Sequence, residues 1–333
     1  MQLGEKRGIG YFPRILILGD TGFLGSHLLP ALREHYKNAD IVCSQGTKFF
    51  DLTQQNHTKT LFASIVNNHG PIHIVINLAA LSGGMFSNME KQATYWYVNN
   101  TIITNVIDQC ALHKVQKLIT PIGGCSYPNV ASGGIFREQD IWSGFPNKNS
   151  FGYSMAKKQA IVAGMAYEEQ FGLKSHVLIP TNPIGPWDNC TDEDAHVPMA
   201  LIKRFVEAKN EGYSSVTVLG NGKPERDFLY IGDIVKVFPA FISYGEGVGP
   251  TNISSGEATT IAELAETIAH VVGFTGKILY DASKPNGQQR KILDNTRLRS
   301  FLQECDIAWE PTPLEESIGL TVDWYEQRVA KKK

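Results

Sequence analysis

The sequence predicts an α/β fold: a doubly wound parallel sheet carrying a smaller mixed α/β lobe. Short aliphatic runs alternate with helical stretches through the first half of the chain. The first run ends in a glycine-rich turn that opens straight into a helix. Past residue 186 the alternation gives way to a less regular mixture. Strand, tight turn and helix in that order are the opening of a Rossmann unit.

Arg14 to Leu18 is the first strand, and Phe23 to Glu34 keeps its apolar residues on one helical face. Ala39 to Cys43, Ile72 to Leu78 and Lys117 to Ile122 are further short strands, with long helices expected over Ala93 to Cys110 and Ala156 to Gln170. His176 to Ile179 is a fifth strand. It leads into Pro180-Thr181-Asn182-Pro183-Ile184-Gly185-Pro186, where the prolines are expected to forbid a regular element. The second half predicts a helix near Pro198 to Asn210, a strand at Val216 to Leu219 and a helix from Thr260 to Val272. Thr259 or Thr260, with Glu263 close behind, caps that last helix.

Composition bounds the partners. A 333-residue chain with 42% apolar side chains has room for one or two domains. Its 31 basic and 33 acidic side chains leave a formal charge of -2, so neither nucleic acid nor an anionic membrane is an expected partner. No apolar run is long enough to span a bilayer, and Met1 to Arg7 carries no secretory segment, so a cytoplasmic protein is expected. Cys43, Cys110, Cys125, Cys190 and Cys305 are odd in number and scattered, which reads as reduced thiols rather than a disulfide framework or a metal site. The Lys331-Lys332-Lys333 tail reads as solvated.

Gly19, Gly22 and Gly25 keep the first turn tight, so the amides around Thr21, Phe23 and Leu24 can approach a pyrophosphate at the helix N-terminus. The spacing is G-x-x-G-x-x-G, and its place between strand and helix is what points to a dinucleotide. Segment 43–48 holds no carboxylate for ribose hydroxyls, while Ser44 and Lys48 suit a 2′-phosphate, so NADP(H) is expected over NAD(H). Asp51 and Leu52 are expected over the adenine end. Downstream, Tyr153 and Lys157 stand four apart on a helix and share a face, which lets the ammonium lower the phenol pKa and makes Tyr153 an acid–base candidate.

The order of segments resembles the extended short-chain dehydrogenase/reductase family. The carrying residues are Asn77-Leu78-Ala79-Ala80, Gly83-Gly84-Met85, Cys125-Ser126-Tyr127-Pro128, Tyr153-Ser154-Met155-Ala156-Lys157, Pro180-Thr181-Asn182, Gly185-Pro186-Trp187-Asp188-Asn189, His196-Val197 and Arg226-Asp227-Phe228. Within that family the likeness is to the branch that takes GDP-4-keto-6-deoxy-mannose, inverts carbons 3 and 5, and reduces carbon 4 with NADPH to a GDP-L-fucose or a close relative. The resemblance makes Cys125 and His196 the proton-transfer pair and Tyr153 the proton donor in reduction, with Lys157 at the nicotinamide ribose. It adds Ala79, Ala80, Pro180 and His196 to the cofactor contacts, and implies substrate contacts at Gly84, Met85, Asn182, Arg204 and Arg226. It also implies a homodimer through the long helices, and a division into a cofactor domain at 1–180, rejoined by 227–245, and a substrate lobe at 181–226 and 246–333.

One position departs from the pattern. Gly123 stands where relatives carry a serine or threonine that hydrogen-bonds the substrate oxygen, and loss of one such donor costs on the order of 10²-fold in turnover. Three readings stay open: Ser82 or a water replaces the hydroxyl, the protein is a slower reductase or mainly an epimerase, or a different substrate fills the space. Alternatives of function are an epimerase or reductase of another nucleotide sugar, such as a GDP-heptose derivative, and an NADP-binding regulator without turnover. A 4,6-dehydratase is disfavoured because Cys125-Ser126 occupies the place of its acid pair. His27, His57, His69 and His113 read as structural, and Asp188 as a loop-ordering residue.

Overall fold

The computed structural model describes residues 13–330 apart from 45, 130–133, 192, 193, 245, 246, 248 and 285. Both the Met1 to Arg7 opening and the lysine tail lie outside the described residues. The central strand β1 (Arg14–Leu18) shows why the sheet is wound on both faces. Ile15, Leu16, Ile17 and Leu18 are fully buried, and alternate side chains enter different cores. Ile15 and Ile17 pack with Leu28 and Leu32 of α1 (Phe23–His35); Leu16 and Leu18 pack with Leu61 and Phe62 of α2 (Gln55–His69), which follows β2 (Asp40–Cys43).

The chain continues through β3 (Ile74–Asn77), α3 (Met85–Glu90), α4 (Gln92–Leu112), β4 (Lys117–Pro121), the short β5 (Ile135–Phe136), α5 (Phe151–Phe171) and β6 (Lys174–Pro180). A six-stranded sheet forms in the order β11-β6-β4-β3-β1-β2, its sixth strand being β11 (Thr251–Ile253), and every pairing is parallel. The order reverses between β1 and β3, which opens a crevice at their carboxyl ends.

Between β6 and β11 run β7 (Asn182–Ile184), α6 (Val197–Glu211), β8 (Ser215–Leu219), β9 (Glu225–Arg226), β10 (Phe228–Tyr230), α7 (Ile231–Lys236) and α8 (Phe238–Ser243). After β11 come β12 (Thr259–Thr260), α9 (Ile261–Val272), β13 (Lys277–Asp281), β14 (Arg290–Leu293), α10 (Thr296–Glu304) and α11 (Leu314–Ala330). Ile202 and Phe205 of α6, Leu264 and Ile268 of α9 and Ile318 and Val322 of α11 build a second core away from the large sheet. The expected cap on α9 is present: Thr260 Oγ1 accepts from the Glu263 amide at 3.0 Å while Glu263 Oε2 accepts from the Thr260 amide at 2.8 Å.

Two expectations need correction. The proline-rich loop contains a strand, because Pro183 sits in β7, whose pairing with β10 forms a two-stranded ribbon where a missing N–H is tolerated. The stretch 246–333 does not lie wholly in the lobe either. Its β11 extends the large sheet, and Leu298, Phe301 and Leu302 of α10 join the core around Ile15 and Ile17. A three-residue strand has too little periodicity to announce which sheet it completes.

Lys117, at the start of β4, is 7% exposed and its ammonium donates to the carbonyls of Phe241 (2.9 Å), Ile242 (2.6 Å) and Tyr244. Three N–H groups thus meet three carbonyls around the end of α8, tying that helix to the sheet. Lys117→Met leaves those carbonyls unpaired in the interior, and the expected cost is about 2–4 kcal/mol in urea unfolding.

Candidate active site

The glycine turn leaves β1 at the crevice. Gly19 has φ +80, and a Cβ there would lie 2.7 Å from the Ala79 amide nitrogen, so only glycine lets the end of β1 touch the end of β3. Gly25 is equally constrained, since a Cβ would drive into the Gly19 and Asp20 backbone. Gly22 differs: its Cβ would make only an ordinary 3.4 Å contact with Gly19 O and otherwise project into open space. It is the N-cap of α1, and no side chain caps that helix end. The buried Asn77 Oδ1 at the end of β3 also lacks a partner in the protein. Open space, uncapped amides and an orphaned acceptor along one edge fit a dinucleotide, with Thr21, Phe23 and Leu24 around the turn and Ala79 and Ala80 opposite it.

The adenosine end differs from expectation. Ser44 follows β2 as foreseen, but it is 3% exposed and its hydroxyl donates to Asp20 Oδ1 at 3.1 Å. The turn after β1 therefore brings a carboxylate to a place where segment 43–48 has none. Lys48 is exposed. Asp51 accepts from the Thr53 amide at 2.9 Å, closing the turn that seats the buried Leu52.

Tyr153 and Lys157 lie in the first two turns of α5, with Lys157 Nζ 6.0 Å from the Tyr153 ring centroid. The lysine is 4% exposed and burial drives its pKa down to about 8, an effect opposed by Cys125. Burial pushes the phenol pKa up, and the neighbouring Cys125 and Tyr95 add to the shift. The expected lowering by Lys157 is not found: burial and both neighbours raise the phenol, and burial pushes the ammonium itself toward its neutral form. The phenol thus carries its proton at neutral pH.

Cys125 sits on the single 3-10 turn Gly124–Ser126 after β4 and is half-buried. A Cβ at Gly123 would lie 3.0 Å from Cys125 Sγ, 3.4 Å from Tyr153 Cε1 and 3.8 Å from the Tyr153 hydroxyl. The side of Gly123 that lacks a hydroxyl therefore faces the thiol and the phenol together. Lys291 on β14 is a neighbour the sequence did not reveal: its charge interacts with Cys125, with Arg226 beside it on β9, and with Asp227.

His196 is the N-cap of α6, and its Nδ1 lies 3.3 Å from Oδ1 of Asp188, a carboxylate only 4% exposed. Burial lowers the imidazole pKa, but the hydrogen bond to Asp188, its charge and that of Asp194 prevail and hold the pKa above its usual value. Asp188 also accepts from the Asn189 amide at 2.8 Å, so it orders the loop and braces the imidazole at once. The two halves of the site meet at Gly83, where a Cβ would collide with the Tyr95 hydroxyl and lie 2.6 Å from Asp194 Oδ1. Tyr95 donates to or accepts from Ser87 at 2.9 Å and packs edge-on against Tyr153, with ring centroids 6.2 Å apart. Gly84, the N-cap of α3, and the exposed Met85 follow directly.

Of the remaining candidates, Arg226 stands beside Lys291 on the neighbouring strand, while Arg204 makes no hydrogen bond to this cluster among the described residues. Asn182 Nδ2 donates to the Asp227 carbonyl at 2.7 Å just past Pro180. Arg226 donates to the Glu225 carbonyl at 2.7 Å, and burial brings its guanidinium pKa down to about 10. Arg204, on α6, donates to the Thr217 carbonyl at 3.3 Å.

Residues 15–254 match the NAD dependent epimerase/dehydratase family. GDP-L-fucose synthase 1 of Arabidopsis thaliana is 33% identical over 96% of this chain and 95% of its own length. GDP-L-fucose synthase of Escherichia coli is 31% identical over 94% of this chain and 96% of its own. The crystal structure of a GDP-L-fucose synthetase from Naegleria fowleri bound to NADP superposes with a TM-score of 0.82 at 26% identity, covering 97% of this chain and 96% of that one. With a parallel sheet, a glycine turn at its switch point and the Tyr153–Lys157 pair beside it, the chain belongs to the NAD dependent epimerase/dehydratase family, and its likeness there runs to the GDP-L-fucose synthases.

Proposed function

We propose that this protein inverts carbons 3 and 5 and reduces carbon 4 of a GDP-linked 4-keto-6-deoxy sugar, using NADP(H), to give GDP-L-fucose or a close relative. The observation that carries this reading is the meeting of two acid–base groupings in one cleft. Cys125 lies against Gly123 and Tyr153, and the Asp188-braced His196 reaches the same region through Asp194, Gly83 and Tyr95. Names and lengths of the relatives support the sugar and the nucleotide.

Carbons flanking a ketone lose protons readily because the resulting carbanion delocalises onto oxygen, so inversion needs a base on one face of the ring and an acid on the other. In this reading Cys125, beside Gly123 and Tyr153, takes the proton. In the same reading His196, held by Asp188, returns one. Tyr153 then protonates the oxygen on carbon 4 as that carbon is reduced. The coenzyme, when bound by its pyrophosphate at the Gly19–Gly25 turn, would supply the hydride for carbon 4, and Lys157 and Pro180 would hold its nicotinamide end. The poorly hydrated guanidinium of Arg226 suits the sugar-nucleotide pyrophosphate, and Arg204 and Asn182 are assigned to the same ligand by the family resemblance.

This reading divides the work between the large sheet, which takes the coenzyme, and the core of α6, α9 and α11, which takes the sugar nucleotide. Exposed Trp96 and Tyr97 on α4 and Val162 and Met165 on α5 support a homodimer through that face. Free cysteines fit a reducing compartment, the cytoplasm.

Incubated with GDP-4-keto-6-deoxy-mannose, the protein is expected to oxidise one NADPH per sugar and to yield a GDP-L-fucose by NMR. Release of a sugar inverted at neither carbon would refute the assignment. Gly123→Ser adds a donor beside Tyr153 and crowds Cys125 Sγ at 3.0 Å. Its reduction step should rise by about tenfold or more while inversion slows, read by single-turnover NADPH oxidation against epimer content. Asp188→Asn removes the charge that raises the His196 pKa. A protonated His196 is lost as pH rises through its pKa, so the alkaline limb of the kcat profile should move to lower pH in this variant.

A further inference from the structure

The turn after β1 and the end of β2 meet through one side-chain pair whose chemistry bears on the coenzyme. β1 and β2 run parallel in register from Arg14↔Asp40 to Ile17↔Cys43, which sets their carboxyl ends side by side. Asp20 leaves the first and Ser44 the second. The Ser44 hydroxyl accepts from the Gly19 amide at 3.4 Å and donates to Asp20 Oδ1 at 3.1 Å. Ser44 is 3% exposed, so its hydroxyl is committed to this bridge, and the half-buried Asp20 carboxylate stands at the outer side of it. Gly46, next in the following loop, lies against Thr21, since its Cβ would sit 3.5 Å from Thr21 Oγ1.

In a sheet of this order the adenosine ribose of a dinucleotide rests over the carboxyl end of β2, where a carboxylate accepts from the ribose hydroxyls. Here the carboxylate arrives from the glycine turn instead of from β2 itself. Building on the coenzyme reading above, we propose that the Asp20–Ser44 pair sets coenzyme choice, accepting the free 2′-hydroxyl of NADH and opposing the 2′-phosphate of NADPH, so that the site takes both. Lys48, exposed in the 46–49 loop, is the cation that offsets the opposition and keeps NADPH a ligand. A phosphate bearing about two charges, some 6 Å from a carboxylate in a water-like medium, loses about tenfold in affinity.

Calorimetric titration of the full chain with NADH and NADPH tests this without any sugar. The wild type should bind the two within about tenfold of one another, and Asp20→Asn, which keeps the Ser44 hydrogen bond, should tighten NADPH by about tenfold with NADH unchanged or weaker. Should that variant fail to fold, displacement of NADH from the wild type by 5′-AMP and by adenosine 2′,5′-bisphosphate gives the same answer, the two competing within about tenfold. A wild-type preference for NADPH or the bisphosphate beyond about a hundredfold, or an NADPH-to-NADH ratio unmoved in Asp20→Asn, overturns the proposal while leaving the coenzyme reading intact. Binding of neither dinucleotide overturns both.

Discussion

Parallel register is the constraint from which the rest of this structure follows. With β1, β2, β3, β4 and β6 all running the same way, their carboxyl ends share one edge, and the chain leaves each strand there at Gly19, Ser44, Leu78, Ile122 and Thr181. Gly19 touching Ala79 pins the reversal of strand order, and the crevice lies over that contact. Cys125 hangs one short turn past β4, close enough for its sulfur to fill the space beside Gly123. A side chain at Gly19 would part β1 from β3 and open the site from beneath.

Burial then decides the chemistry of the groups placed on that edge. Lys157 and Tyr153 enter the interior on one face of α5, and desolvation moves the lysine down and the phenol up. The phenol is therefore held in its protonated form. His196 goes the other way, because the buried Asp188 and nearby Asp194 give its positive form what burial withholds. On the function proposed above, His196 is the acid and the Cys125 thiol the base that inversion at a carbon next to a ketone requires.

Much of this was legible in the sequence, for reasons that are local. Aliphatic runs and helical periods announce β1, α1 and α5, and the glycine turn and Tyr153–Lys157 carry their chemistry in their spacing, whereas Cys125 and His196 stood out only through the family resemblance of the segments that hold them. What escaped is held together across long stretches of chain. Asp20 meets Ser44 from another loop, Lys291 reaches Cys125 from β14, and Tyr95 meets Asp194 only where Gly83 lets them approach. Asp188 was legible as a loop residue but not as the brace of His196, since that contact depends on how the loop closes. β7 and β11, three residues each, are too short to carry a period, and their partners decide them.

The central claim is that one cleft holds a base and an acid for both carbons that flank the ketone. Deuterium incorporation into GDP-4-keto-6-deoxy-mannose in D₂O, followed by NMR before any coenzyme is added, tests it most directly. Exchange at both carbon 3 and carbon 5 is the expected result. Exchange at neither, with NADPH still oxidised on its addition, would contradict the account and leave a reductase that borrows only Tyr153 and Lys157.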